Sequence, residues 1–352
     1  MASITDVAKK AGVGIATASR VINGTGYVSE ETRQKVQAVI EEMNYVPNEL
    51  ARNLQQNKTN TVAVILPDVS NMFFAALLKE IEYLLRKKGY KTMLCCSDGE
   101  ETNEEAFLDM LKRNLVDGVI TTSNLLKQGS YAEIKRPMVS IDSILSEDIP
   151  MVCSNHKKGG KEAAQMLLDA GCRHIFQVRD TVDEEIRNRD KEHEISSKLF
   201  PFVERHIAFE KTVRNAMKKA KKKSKISYHE TLSLGLTGAD AYRKQAKEVF
   251  DKYPDIDGIM ATDFAAIQYG IEAHYRGIKI PEDLKIVAYD GTDAARMFYP
   301  EISCIRQQID KIAGEAVKLL LLQIDQKPIR KYQVTLPVQV INKYESETRA
   351  NK

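Results

Sequence analysis

Residues 4–23 read ITDVAKKAGVGIATASRVIN, and the reading of this stretch decides the fold of the N-terminal region. Thr5 suits the cap of a short helix over 6–11, where Asp6 meets the positive end of the helix dipole. Gly12 then stops the helix, because glycine turns the backbone left-handed at no steric cost. After Val13 and Gly14 a second helix fits 15–22, and Asn23-Gly24 ends it. Two helices joined by so tight a turn suit a helix-turn-helix, whose second helix lies in the DNA major groove; they also suit an ordinary helical hairpin. Val7, Ala8, Ala11, Val13, Ala18, Val21 and Ile22 form the core-facing set. Ile15 and Ser19, like Ala16 and Arg20, are four apart and project from the other face.

Outward from this stretch, Ser29 is an N-cap followed by Glu30 and Glu31, and Val36, Val39, Ile40 and Met43 recur at helical spacing. That is a third helix, closing a three-helix head. Tyr45-Val-Pro-Asn48 follows, with Asn48 capping a short segment, ELARNLQQ, over 49–56. Residues 1–60 hold seven Lys/Arg against six Asp/Glu, whereas nucleic-acid-binding modules are usually more basic. The motif carries the DNA reading and the charge does not.

From Thr61 the pattern changes to strands alternating with helices. TVAVIL, YKTMLCC, DGVITT, PMVSID, HIFQV, DGIMAT, LKIVAYD and YQVTLPVQVI read as strands. Amphipathic helices fit FFAALLKEIEYLLRKKG, 103–114, 157–170, 239–252, 264–276 and 308–325. Such alternation gives parallel sheets covered on both faces, and about 290 residues of it suggest two lobes. Ligands in these folds bind beyond the carboxyl ends of the strands. A chain of 352 residues, 43% hydrophobic, has the length for two or three domains and the apolar content for a large core. No apolar run is long enough to span a bilayer and no signal-peptide pattern stands at the N-terminus, so no membrane partner is expected. Five cysteines, two of them adjacent, do not suggest a disulfide framework; a reducing cytoplasm is expected.

Taken in order, ITDVAKKAGV, ATASRVIN, VSEETRQKV, NYVPN and ELARNL resemble the head of the LacI–GalR family of bacterial regulators. TVAVILPDVSNMFFAAL, DGVITT, PMVSID, GGKEAAQMLLDAG, DGIMATDFAAIQYGI, GIKIPEDLKIVAYDGT and EISCIRQQIDKIAGEAV resemble its periplasmic-binding-protein-like sensor, so the resemblance covers most of the chain. It implies an α/β protein: a three-helix helix-turn-helix head (1–47), a hinge helix and linker (48–60), then two doubly wound parallel lobes of the type I periplasmic-binding-protein-like kind. The first lobe is expected over 61–155 with 306–326, the second over 156–305 with 327–343, and a polar tail over 344–352. The function implied is a cytoplasmic, nucleoid-associated regulator, a repressor, binding a near-palindromic double-stranded DNA operator as a homodimer. A sugar or sugar phosphate in the cleft between the lobes would control it. Whether that effector releases DNA or holds it is not written in the sequence.

The resemblance places base reading at Ile15 and Ala16, and Arg20 suits bidentate hydrogen bonding to a guanine edge. Thr5, Thr17, Ser19 and Asn23 suit phosphate contacts or caps. In the hinge, Asn48, Ala51, Arg52 and Leu54 complete the DNA-facing set, with paired Leu54 side chains wedging the central base step of the minor groove. Gly14 stands where the family commonly has serine. For the effector, the matching positions are Asp68, Asn71 and Phe73 after the first strand, Thr122, Asp142, Arg189, Asp263 and Asp290. Carboxylates and amides engage adjacent hydroxyls with paired hydrogen bonds, which is why such residues suit a polyol. Three places depart from the family. Thr262-Asp263 replaces Asn-Asp, Ser154-Asn155 replaces Asp-Asn, and the Arg-x-x-Gly-Phe pattern appears only as Arg189-Asp-Lys-Glu192-His193, without the glycine. The region 196–236 does not align; its basic residues within 211–225, including KKAKKKSK, suit a solvated surface or a second acidic or DNA contact.

Enzyme readings find little support: there is no P-loop, no G-x-G-x-x-G and no nucleophile elbow. Cys153-x-x-His156 with Cys172-x-His174 is the best metal set, yet Cys153 falls in a strand and Cys172-Arg-His174 at a helix-to-strand turn, so neither a metal nor a cofactor is expected. A solute-binding protein of transport would share the sensor fold but lack the head. Control by a protein partner rather than a small effector stays open.

Overall fold

The computed structural model describes residues 2–46, 58–98, 100–122, 131, 134–180, 200–220, 225–233, 236, 238–298 and 302–344. They fall into two compact units, Met1–Asn60 and Thr61–Lys352.

Among the described residues, the first unit has three helices, α1 (Ile4–Ala11), α2 (Ile15–Asn23) and α3 (Glu30–Glu42). Thr5 does not cap α1. Ser3 does, because its hydroxyl accepts from the Asp6 N–H at 3.2 Å while the Asp6 carboxylate accepts from the Ser3 N–H at 2.8 Å. This reciprocal capping box starts the helix two residues earlier and leaves Thr5 exposed within it. Gly12 (φ +65°) and Gly24 (φ +63°) end α1 and α2 in left-handed conformations. Val7, Ala11, Val21, Val36 and Val39 close the small core, with Val13, Val28, Ile40, Met43 and Tyr45 packed against it. The expected hinge helix, with Asn48, Ala51, Arg52 and Leu54, lies outside the described residues.

The second unit holds two sheets. Its strands are β1 (Thr61–Leu66), β2 (Lys91–Cys96), β3 (Gly118–Thr121), β4 (Met138–Ile141), β5 (Met151–Ser154), β6 (His174–Arg179), β7 (Ser227–Leu232), β8 (Gly258–Thr262), β9 (Lys285–Asp290), β10 (Ser303–Arg306), β11 (Gln333–Leu336) and β12 (Gln339–Ile341). Its helices are α4 (Met72–Lys87), α5 (Glu101–Lys112), α6 (His156–Asp169), α7 (Val203–Lys219), α8 (Gly238–Lys252), α9 (Asp263–Tyr275), α10 (Asp293–Met297) and α11 (Ile309–Ile324). The first sheet has the order β11-β5-β4-β3-β1-β2 and the second β12-β10-β9-β8-β6-β7. All pairings are parallel except β10 with β12. Phe73, Leu77, Ile81 and Leu85 of α4 and Ile312, Ala316 and Leu320 of α11 cover one face of the first sheet, the spacing of a helix stripe facing a core.

The chain crosses between the lobes after β5, after β10 and after β11. The third crossing corrects the expected boundary: 327–343 does not belong wholly to the second lobe, because β11 pairs with β5 in the first sheet and only β12 returns to the second. The run YQVTLPVQVI is two strands, since Pro337 has no N–H to give to a ladder. The unaligned region 196–236 contributes α7 and the half-buried edge strand β7, whose SYHETL carries no apolar alternation.

Gly159 and Gly160 let α6 lie against the rest of its lobe. A Cβ at Gly159 would overlap the Tyr289 hydroxyl, and one at Gly160 the carbonyl of Arg205 in α7. Gly160→Ala is therefore expected to destabilise by roughly 1–3 kcal/mol or more, the scale of forced overpacking. Chemical denaturation of the full chain checks this; unchanged stability would mean that α6 and α7 do not pack so closely.

Candidate functional site

The carboxyl ends of strands from both lobes meet where the chain crosses. From the first lobe come Asp142, just after β4, and Ser154, the last residue of β5. From the second come Arg179 and Asp180 at the end of β6, Tyr289 and Asp290 at the end of β9, and Arg205 and His206 in the first turn of α7. His156 and Gln307 lie in the first and second crossings.

Asp142 is 2.8 Å from His156 Nε2, and His156 Nδ1 is 3.2 Å from the Tyr289 hydroxyl. Ser154 Oγ donates to Gln307 Oε1 at 2.7 Å, and Gln307 Nε2 donates to Asp290 Oδ1 at 2.8 Å. Arg205 pairs with Asp180 and lies 4.8 Å from the centre of the Tyr289 ring. His206 Nε2 is 2.6 Å from Asp180 Oδ1, and Gln177 Nε2 donates to His206 Nδ1 at 2.9 Å. Asp142 (φ +56°) and Asp290 (φ +114°) both occupy backbone conformations that side chains disfavour. Such strain collects at functional sites.

Charge at the junction follows from burial. Burial pushes the Asp290 carboxyl well above the usual carboxylate range, and Asp263 adds to this while Arg205 opposes it. Burial also pushes Asp263 up to about 6, against hydrogen bonds from Thr292 and Gly291. At Asp180 burial acts in the same sense but is outweighed by Arg205 and His206, which hold its carboxyl below the ordinary value. Burial pulls His206 down to about 4 despite Asp180.

The expected effector residues fall in different places. Asp142 and Asp290 reach the junction. Asp263 clamps the turn after β9, accepting from Thr292 N–H at 2.6 Å and Gly291 N–H at 3.1 Å. Asp68 accepts from Ser70 N–H at 2.7 Å in a local turn, and Asn71 caps α4 by accepting from Phe73 N–H at 2.9 Å. Phe73 itself packs into the first-lobe core with Leu77 and Ile81. Thr122 follows β3, its hydroxyl buried and without a partner among the described residues. Arg189 lies outside the described residues. The arginine that pairs with Asp180 and lies over Tyr289 at the junction is Arg205, in the phrase Arg205-His206-Ile207-Ala208-Phe209. That phrase answers to Arg-x-x-Gly-Phe with alanine at the glycine position, the signal that the sequence reading passed over.

In the head, the exposed face of α2 presents Ile15 (51% exposed), Ala16, Arg20 and Asn23, while Thr17 and Ser19 are half-buried. Asn23 Nδ2 donates to Ser19 Oγ at 3.1 Å. Gly14 is the N-cap without a side-chain hydrogen bond; its carbonyl accepts from the Thr17 and Ala18 N–H groups at 2.9 and 3.0 Å. The Arg20 stem runs beside Gly26, where a Cβ would lie 3.3 Å from Arg20 Cδ.

Fold and site together define a class: a helix-turn-helix head joined to a two-lobed α/β body with charged strand ends at the junction of its lobes. Residues 3–48 match the bacterial regulatory proteins of the lacI family. Residues 59–192 match the periplasmic binding proteins and sugar binding domain of the LacI family, and 164–343 a periplasmic binding protein-like domain. The chain is 32% identical over 342 residues to the ribose operon repressor of Halalkalibacterium halodurans, covering 97% of this chain and 96% of that one. It is 34% identical over 344 residues to the sucrose operon repressor of Streptococcus mutans, covering 97% and 98%. Among solved structures, the lac repressor dimer bound to operator and the anti-inducer ONPF shares the fold at a TM-score of 0.77, with 20% identity over 97% of each chain. A LacI family transcriptional regulator of Enterococcus faecium with bound ribose gives a TM-score of 0.62 at 25% identity, over 80% of this chain and 96% of that one. The chain belongs to the LacI family: it is a DNA-binding transcriptional regulator and not an enzyme. No helix among the described residues is long and apolar enough to cross a membrane.

The neutral His206 has a measurable consequence. Its pKa is depressed from 6.5 to about 4, so its contribution to stability is full above 6.5 and is lost as pH falls through 4. Asp263, raised from 3.8 to about 6, acts oppositely, its contribution being full below 3.8 and lost as pH rises through 6. Imidazole ¹⁵N NMR should find His206 protonated on Nε2 alone down to about pH 5, near the lowered value. Half-protonation near its ordinary pKa would contradict the buried Asp180–His206–Gln177 arrangement.

Proposed function

We propose that the protein is a cytoplasmic, nucleoid-associated repressor that binds a near-palindromic operator as a homodimer and is controlled by a sugar bound between its two lobes. The observation that carries the sensor reading is the convergence of Arg205, Asp290 and Asp142 on the junction of the lobes. Carboxylates accept from vicinal hydroxyls and a guanidinium donates to ring or hydroxyl oxygens, so this set suits a polyhydroxy ligand. The names of the two relatives, ribose and sucrose operon repressors, support a sugar. Of sugar and sugar phosphate, the neutral sugar is favoured. A phosphate beside Arg205 would also face Asp180 and Asp290, and the guanidinium already pairs with Asp180.

The homodimer reading is supported by the edge of the first sheet, where β2 exposes Met93 (37%) and Leu94 (43%). An open edge carrying apolar side chains favours cover by another chain. Two heads would then read two half-sites, with Arg20 on a guanine edge and the hinge residues Asn48, Ala51, Arg52 and Leu54 at the central step.

The two halves of this reading are separable in one experiment. Asp290→Asn should abolish the response to D-ribose, sucrose and related sugars while leaving operator affinity close to the parent's. Arg20→Ala should keep sugar binding and weaken the operator by roughly 1–3 kcal/mol, relaxing preference at one base pair per half-site. Operator binding with each half-site base varied, with and without the sugar panel, reads both. An Asp290→Asn protein that responds like the parent would remove the pocket assignment. If the parent binds no sugar at millimolar concentration, control by a protein partner becomes the better reading.

A further inference from the structure

Two buried chains of hydrogen bonds cross from one lobe to the other, and they end on adjacent residues of one strand. In the first, Asp142 of the first lobe reaches Tyr289 of the second through the His156 ring, at 2.8 and 3.2 Å. Nε2–H donates to the Asp142 carboxylate, and Nδ1 faces the tyrosine hydroxyl, which can either donate or accept. In the second, Ser154 of the first lobe reaches Asp290 of the second through the Gln307 amide, at 2.7 and 2.8 Å. The Gln307 N–H also donates to the Asp290 carbonyl at 2.9 Å. Ser154, His156 and Gln307 are each 2% exposed, so the bridging groups themselves are shielded from water, while Asp142 at the end of the first chain stays partly exposed.

The bridging side chains come from the two crossings themselves. They grip a strand end that has little room to adjust. Gly159 faces the Tyr289 hydroxyl, Arg205 lies over the Tyr289 ring, and a Cβ at Gly291 would come within 2.7 Å of Arg306 Cα. The second crossing is tied onward to the third, where Gln308 Nε2 donates to the Pro337 carbonyl at 2.6 Å. A rotation of the lobes about the crossings must therefore break or lengthen one of the two bridges.

We infer that His156 and Gln307 are positioning residues that set the angle between the lobes, by pinning Tyr289 and Asp290 of the second lobe to Asp142 and Ser154 of the first. A ligand hydroxyl that donates to the Asp290 carboxylate competes with Gln307 Nε2 and slackens the Ser154 bridge, so that occupancy and lobe angle change together. That competition rests on the proposed effector contact; the pinning does not.

The test needs no effector. Spin labels are introduced through a non-natural ketone side chain at the exposed positions 115, in the first lobe, and 275, in the second. The labelled full chain is diluted into unlabelled protein, so that only distances within one chain are read. Pulsed-EPR distances should be narrowly distributed in the parent and shifted or broadened in Gln307→Met, which keeps the shape and loses the amide, and in Ser154→Ala. Combining the two changes should add nothing, because both cut the same bridge. Ser233→Ala is the control. It removes a buried hydrogen bond inside the second lobe, Ser233 Oγ to the Arg179 carbonyl at 2.9 Å, and should lower Tm without moving the distances. If Gln307→Met and Ser154→Ala also lower Tm and leave the parental distances, the bridges are only structural and the inference fails. Sugar titration of the same proteins separates the two readings. Absence of sugar binding removes the effector contact, whereas the distances alone decide the pinning.

Discussion

The end of β9 is where the two-lobed body is held together. Tyr289 and Asp290 leave a buried parallel strand, and every group that surrounds them comes from elsewhere in the chain: Asp142 and Ser154 from the first lobe, His156 and Gln307 from the crossings, Arg205 from α7. An acidic group placed so deep is unfavourable unless it is hydrogen-bonded or paired. Asp290 is accommodated by the Gln307 amide and the nearby Arg205 charge, with its carboxyl pushed upward by burial. The fold of both lobes is thus arranged around a polar cluster that neither lobe could satisfy alone.

This constraint explains features that look unrelated in isolation. The glycine pair of α6 is there because the Tyr289 hydroxyl and the Arg205 carbonyl occupy the space where side chains would stand. Asp142 and Asp290 tolerate disfavoured backbone angles because their carboxylates are held from the far side. The head solves a simpler problem. Its contacts are local, between three short helices whose ends are fixed by Ser3, Gly12, Gly24 and Ser29. Ile15, Ala16 and Arg20 stay exposed on the outer face of α2 because the core set lies on its opposite side.

Legibility in the sequence followed the range of the interactions. The head, the alternation of strands and helices and the two-lobe organisation were readable because caps, turns and apolar periodicity are local signals. Asp142 and Asp290 were readable as residues following buried strands. The capping box was missed because Thr5 and Ser3 look alike until Asp6 closes the loop. The packing of Phe73 into the first-lobe core was not legible, because one aromatic residue after a cap suits a pocket as well as a core. Arg205 was missed because alanine replaces the expected glycine and α7 follows an unaligned stretch. The last lobe boundary was misread because a single apolar run hides two strands on either side of Pro337. His156 and Gln307 carry no local signal at all; only the meeting of residues 17 and 133 positions apart along the chain shows what they do.

The central claim, that the crossings are fastened into the body rather than left as loose connections, is tested most directly by amide hydrogen exchange on the ligand-free full chain. The Gln307 N–H donates to the Asp290 carbonyl and the Asn155 N–H to the Leu336 carbonyl, at 2.9 and 2.7 Å. If the crossings are fastened, these two amides exchange as slowly as those in the middle of β9, opening only with the lobes themselves. Exchange at the rate of an exposed surface loop, while β9 stays protected, would contradict it.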